Sequence, residues 1–402
     1  MSNTRIFLAA LVLTCLGSQA VAAEDGTWSS SDIASLTRWV DSAPSDALPR
    51  LSTDALEAAR RSEEAEAIDA EANALALDLA RMHLLGNASP SERSGWHIPD
   101  SDIDLPLPSM LANAVANDTL DTFFALMRPG HPEYSALREA FNQENDRERR
   151  ETIARNMERW RWMPRSLGPD YVIVNAARFR AEMWRGGDHA GTWRIIVGTT
   201  RTPTPVFQAT IEGVVLNPWW EIPASIVRES VGALVRNNPS LARSRGYVVQ
   251  NGRYRQRPGP NNALGQMKLV MPNPYSVYMH DTPNRQLFEE EVRSFSHGCI
   301  RTGDAIGFAA TLLEGAKTRP EIDAILASQQ TTTIPIVRPM PVYITYFTAV
   351  SDGAGDILML DDIYNRDGRI SVQAGMQDTH RGLRAAALGA SHSRGDGTEV
   401  EC

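Results

Sequence analysis

Ser296-His297-Gly298-Cys299-Ile300-Arg301-Thr302-Gly303-Asp304-Ala305 is the stretch on which the reading of this chain turns. A cysteine reacts as its thiolate, so a catalytic cysteine needs a base, a positive environment, or both. His297 and Arg301 are the candidates for that environment. Gly298 has no side chain, which lets backbone N–H groups approach a developing oxyanion closely. A second histidine, His280, closes Tyr275-Ser276-Val277-Tyr278-Met279-His280, and 299 − 280 places it 19 residues before the cysteine. Strand alternation puts Tyr278 and His280 on one face. One hairpin-like excursion would then return Cys299 beside His280. Taken singly, each residue has a bland explanation: a strand-end histidine satisfied by its surroundings, an arginine or tyrosine in local hydrogen bonds.

Composition narrows the classes of function. The 402 residues are 42% hydrophobic and 22% charged, with a formal net charge of −9, the balance of a globular protein with a real core. Nucleic acid is not an expected partner, because no global basic field is present to displace counterions. Arg5, the apolar run from Ile6 to Leu16 and Ala20-Val21-Ala22 read as a secretory signal over residues 1–22. That run falls short of the roughly 18 residues that span a bilayer. Export to the periplasm is therefore expected, with no transmembrane anchor after cleavage. Thr14 before Cys15 argues against a lipoprotein signal. Cleavage leaves Cys299 and Cys402, too few for a disulfide framework. A cysteine retained in an oxidising compartment suggests reactivity.

Three regions follow the signal. Residues 23–168 read as a helical scaffold, with Ala-, Glu- and Leu-rich stretches such as 54–85 and a Trp160-Arg161-Trp162 helix ended by Pro164 and Gly168. Residues 169–350 read as a β domain, with strand signals at 171–174, 179–184, 193–197, 267–271, 275–280 and 341–350. A helix-like stretch at 222–241 and a Gly-, Pro- and Asn-rich return at 251–265 interrupt it. They read as an insertion over the sheet, about 217–262. Residues 351–370 read as a terminal hairpin or loop, and 371–402 as a disordered tail.

Taken together, the Ser-His-Gly-Cys-Ile-Arg run and its upstream histidine resemble the signature of the L,D-transpeptidase (YkuD-type) catalytic domain. Further stretches resemble its YcbB-like murein subgroup: Trp160-Arg161-Trp162, Asn217-Pro218-Trp219-Trp220, 258–265 and His280-Asp281-Thr282-Pro283. The resemblance implies an α+β architecture: a β-sandwich catalytic domain with an inserted helical capping subdomain and an N-terminal helical scaffold. It also implies residue roles. Cys299 matches the nucleophile and His280 its base. Ser296, His297 and Gly298 match nucleophile-flanking or oxyanion-hole positions. Arg301, Tyr278 and Trp220 match substrate-binding positions. The usual peptidoglycan-binding module has no room between 131–134 and 151–160, so wall recognition falls to the cleft, the scaffold or a partner.

The implied reaction is acyl transfer on peptidoglycan tetrapeptide stems through a Cys299 thioester, joining two third-position diaminopimelate residues. Acylation of Cys299 by carbapenems is implied with it. Water as acceptor would make a carboxypeptidase; a lipoprotein lysine would make an anchoring or releasing enzyme. A decayed, non-catalytic wall-binding scaffold is the reading of a different class, and the survival of Cys299, His280, Gly298 and Arg301 together argues against it. No cofactor and no metal are expected, because the spacing of His280, His297 and Cys299 fits no zinc pattern. Wall-synthesis proteins are expected partners besides the stems.

Overall fold

The computed structural model describes residues 27–372. The signal reading over 1–22 and nearly all of the tail lie outside them.

The first part is helical for the reason its composition suggests. Five helices, α1 (Ser30–Ser42), α2 (Asp54–Ser62), α3 (Ala65–Leu85), α4 (Leu107–Ala116) and α5 (Leu120–Met127), share a core of Leu36, Ala76, Leu79, Leu111 and Phe124. Two more, α6 (Pro132–Gln143) and α7 (Arg147–Arg161), place Tyr134, Phe141, Met157 and Trp160 in the core of the sheet instead. The Trp-Arg-Trp segment ties the two parts together. Buried Arg161 pairs with Glu158 at 3.0 Å and reaches the Tyr134 hydroxyl at 2.8 Å and the Asp46 carbonyl. Glu158 in turn accepts from the N–H groups of Asn87 and Ala88, both at 2.7 Å. Helix α3 stops there at Gly86, with φ +79°, where a Cβ would meet Glu158 Oε1 at 2.2 Å. Removing one partner of such a buried pair typically costs about 3–5 kcal/mol, because the other charge is left uncompensated.

The sheet strands are β1 (Trp96–His97), β2 (Tyr171–Asn175), β3 (Arg180–Arg185), β4 (Asp188–Gly198) and β5 (Val206–Leu216). The insertion contributes β6 (Trp220–Glu221), β7 (Tyr247–Gln250) and β8 (Arg253–Gln256). After it come β9 (Met267–Val270), β10 (Met279–His280), β11 (Ser294–Ser296), β12 (Ile300–Thr302), β13 (Thr332–Thr345) and the hairpin β14 (Ala349–Ser351) and β15 (Ile357–Met359). The main sheet runs β1-β5-β13-β2-β3-β4-β12-β10-β9 and returns on itself through a β5–β9 pairing. Its walls pack over one core, with Val172, Ile195, Phe207, Met267, Met279, Ile300 and Val342 all buried. This is the expected sandwich beside a helical scaffold.

Several features went unread in the sequence, among them the helices Ala305–Leu312 and Arg319–Ser328. Strand β5 makes the sheet's longest ladder, with β13. The insertion carries its expected helices, α8 (Ala224–Ile226) running through a π-turn into α9 (Gly232–Asn237), then α10 (Pro239–Ser244), and adds a three-stranded sheet, β6-β8-β7. The β7–β8 hairpin turns at Asn251-Gly252, both at positive φ (52° and 77°), the chemistry a two-residue hairpin turn requires. The insertion has its own small core of Trp220, Ile222, Ile226, Val231 and Leu264.

Candidate active site

Strands β9, β10 and β12 build the site by simple alternation. Met267, Leu269, Met279 and Ile300 point into the core. The residues between them, Lys268, Tyr278, His280, Cys299 and Arg301, therefore share the opposite face. Register aligns them: His280 lies opposite Lys268 on β9 and opposite Arg301 on β12. The hairpin-like return expected between His280 and Cys299 takes another form. Strands β10 and β12 are parallel neighbours, and parallel strands need a crossover. The crossover here passes through a 3₁₀ turn, Arg285–Glu289, and β11, which pairs with β4.

The loop that carries Cys299 is pinned on several sides. The Ser296 hydroxyl donates to the Cys299 carbonyl at 2.5 Å and accepts from the Gly298 N–H at 3.1 Å. Gly298 has φ +115°, a region that favours glycine. Its carbonyl accepts from Thr204 at 2.9 Å. Gly198 packs so closely against this turn that a Cβ there would lie 3.0 Å from the Gly298 Cα. Cys299 itself is buried, with the Tyr278 backbone N–H donating to its sulfur at 3.2 Å.

His280 is buried, and its Nδ1 contacts the Asp281 carbonyl at 2.5 Å. A carbonyl can only accept, so Nδ1 carries the proton and Nε2 is left as the basic nitrogen. Burial first, and then the Arg301 cation, push the His280 pKa down to about 3, with Lys268 adding to the effect and the Asp281 carbonyl opposing it. The ring is neutral at physiological pH. Burial also depresses the pKa of the Arg301 guanidinium, and no carboxylate among the described residues pairs with it.

The remaining sequence-predicted residues divide. Trp220 and Tyr278 meet where the insertion sits on the sheet, Tyr278 packing against the insertion core. Burial holds the Tyr278 phenol well above its ordinary range, and the Trp220 indole opposes this only in part. That indole N–H is close enough to act on the phenol yet makes no well-formed hydrogen bond. His297 turns away towards the insertion, with Nε2 at 2.9 Å from Glu229. Lys268 and Glu229 were not foreseen. An open cavity of about 570 Å³ lies elsewhere, lined by Arg128, Tyr134 and Arg138. Its two arginines already pair with Asp46, at 2.7 and 2.6 Å.

Comparison with known proteins agrees with this geometry. Residues 169–324 match the L,D-transpeptidase catalytic domain (YkuD) family, and residues 24–141 match the Scaffold domain family. Residues 169–324 are thus similar to an L,D-transpeptidase catalytic domain. A Haemophilus influenzae protein described as "Putative L,D-transpeptidase" is 33% identical over 229 residues, which cover 51% of this chain and 46% of that protein. The chain thus spans less than half the length of this curated relative. Among solved structures, a Mycobacterium smegmatis L,D-transpeptidase shares 10% identity, with 44% of this chain and 58% of the other covered and a TM-score of 0.25. An Enterococcus faecium L,D-transpeptidase shares 12%, with 44% and 50% covered and a TM-score of 0.21. Superpositions this weak carry no argument. The matched residues 169–324 contain Cys299, His280 and Arg301, together with the whole insertion.

Proposed function

We propose that this chain is a periplasmic peptidoglycan L,D-transpeptidase that links third-position diaminopimelate residues of stem peptides through a thioester on Cys299. The observation that carries the reading is the register of β10 and β12, which sets a neutral buried histidine, a cysteine and an arginine on one covered face. In the reduced enzyme the Tyr278 N–H favours the thiolate, since a charge-assisted hydrogen bond to sulfur stabilises the anion over the thiol. His280 Nε2 takes the thiol proton. The Cys299 sulfur attacks the carbonyl between diaminopimelate and the terminal D-alanine; the C–N bond breaks, and the D-alanine amine leaves with the proton from His280. An acceptor amine then attacks the thioester, passes its proton to His280 and restores the thiolate. The tetrahedral oxyanion sits at the Gly298-Cys299 turn, where the Cys299 backbone N–H is the proposed donor, because the Gly298 N–H is engaged by Ser296.

The test is incubation of reduced, mature protein with disaccharide-tetrapeptide, with products identified by mass. A cross-linked dimer with release of D-alanine is expected, and its loss in Cys299→Ala. Tripeptide alone would make the enzyme a carboxypeptidase. A dimer still formed by Cys299→Ala would remove Cys299 from the chemistry.

A further inference from the structure

The chain uses lysine twice, at 268 and 317, so that 40 − 2 leaves 38 arginines among its basic residues. One of those two lysines lies directly across the strand from His280. Its Nζ sits 3.9 Å from the centre of the Tyr278 ring, and the side chain is half-buried. No carboxylate among the described residues lies within ion-pair distance of it. Glu221, the acid that acts on it electrostatically, pairs with Arg255 at 2.6 Å instead. Holding a cation in a covered site without a counter-charge is unfavourable. A cation–π contact offsets only about 0.5–2 kcal/mol. Arg301 repeats the pattern on the other side of His280. The row Lys268-His280-Arg301 is thus a proposed general base flanked by two cations, neither with an ion-pair partner among the described residues.

We infer that Lys268 is a substrate-binding residue that receives one carboxylate of the donor stem, with Arg301 receiving another, so that the site selects a donor carrying a carboxylate on each side of the scissile carbonyl. This rests on the proposed stem substrate, which has that pattern: one carboxylate on the diaminopimelate side chain, one on the terminal D-alanine. A compact ammonium suits the Lys268 position, because it can bind an anion while standing on an aromatic face, where a planar guanidinium would stack and spread its donors. Both cations disfavour a positive His280. Arrival of two carboxylates would relieve that and let the base accept its proton when donor is bound.

The experiment compares three synthetic tetrapeptide stems with reduced enzyme: unmodified, amidated on the diaminopimelate side-chain carboxyl, and amidated on the terminal D-alanine. Release of the fourth residue gives kcat and KM for each. For the wild type, each amidation is expected to raise KM about 10- to 100-fold, the worth of one charge-assisted hydrogen bond. Lys268→Met should raise KM for the unmodified stem by a similar factor and become indifferent to one amidation only. Lys268→Arg should keep its sensitivity to both. A wild type indifferent to both amidations overturns the assignment without recourse to any variant, as does a folded Lys268→Met that still responds to both. A wild type that turns over none of the stems overturns the substrate reading, and this assignment with it.

Discussion

At the scale of the residue, the two histidines of the signature are separated by environment rather than by sequence. His280 is buried, neutral and oriented by the Asp281 carbonyl. His297 is partly exposed and paired with an acid of the insertion. His280 has the neutral ring and the fixed tautomer that a general base needs at physiological pH. His280→Ala is therefore expected to lower the rate of Cys299 acylation by about 10²- to 10⁴-fold, the usual worth of a general base. His297→Ala should cost far less. Stopped-flow or quenched acylation on the same stem distinguishes them, and the opposite ranking would exchange the two roles.

At the scale of the element, the insertion hangs from a point where the chain could have turned tightly. Leu216, the last residue of β5, pairs with Met267, the first of β9. Everything between them is an excursion from what would otherwise be a short hairpin, and its core is separate from that of the sheet. It meets the face that carries Cys299 through Trp220 on Tyr278 and Glu229 on His297. Replacement of 217–266 by a two-residue turn should leave a folded sheet, seen as an unchanged cooperative melt, while the donor KM rises about tenfold or more through lost enclosure of the cleft. Unchanged acylation in that folded variant would show that the insertion plays no part in donor use.

At the scale of the whole molecule, two buried histidines, His83 and His280, and the half-buried His131 make stability depend on pH. Burial pushes His83 to about 3, His131 to about 4 and His280 to about 3. Each titrates near 6.5 when unfolded. Between those values the unfolded chain binds more protons than the folded one, so stability increases with pH across the window. The contribution is complete above about pH 6.5 and is lost progressively as pH falls towards 4. Thermal melts should give a level midpoint above about pH 7 and a steady decline from about pH 6 to 4. His83→Phe should flatten part of that decline, since its ring nitrogens are buried without hydrogen-bond partners among the described residues. A midpoint independent of pH through that range would contradict the burial of these rings.

What the sequence by itself determined lies in short-range patterns. The cysteine loop, the histidine at a strand end, the Ala- and Leu-rich helices and the break at 217–262 are written in residue type, alternation and turn chemistry, which neighbours along the chain decide. Only the tertiary structure decided that β10 and β12 run parallel, since strand pairing depends on a crossover whose path no local preference encodes. The same holds for β5, whose partners lie far along the chain, and for the Ser296 hydroxyl, which occupies the Gly298 N–H. Lys268 shows the limit most clearly. Lysine occurs only twice among 40 basic residues, yet the place of Lys268 across from His280 exists only because β9 returns, after an excursion of some fifty residues, to pair with β10.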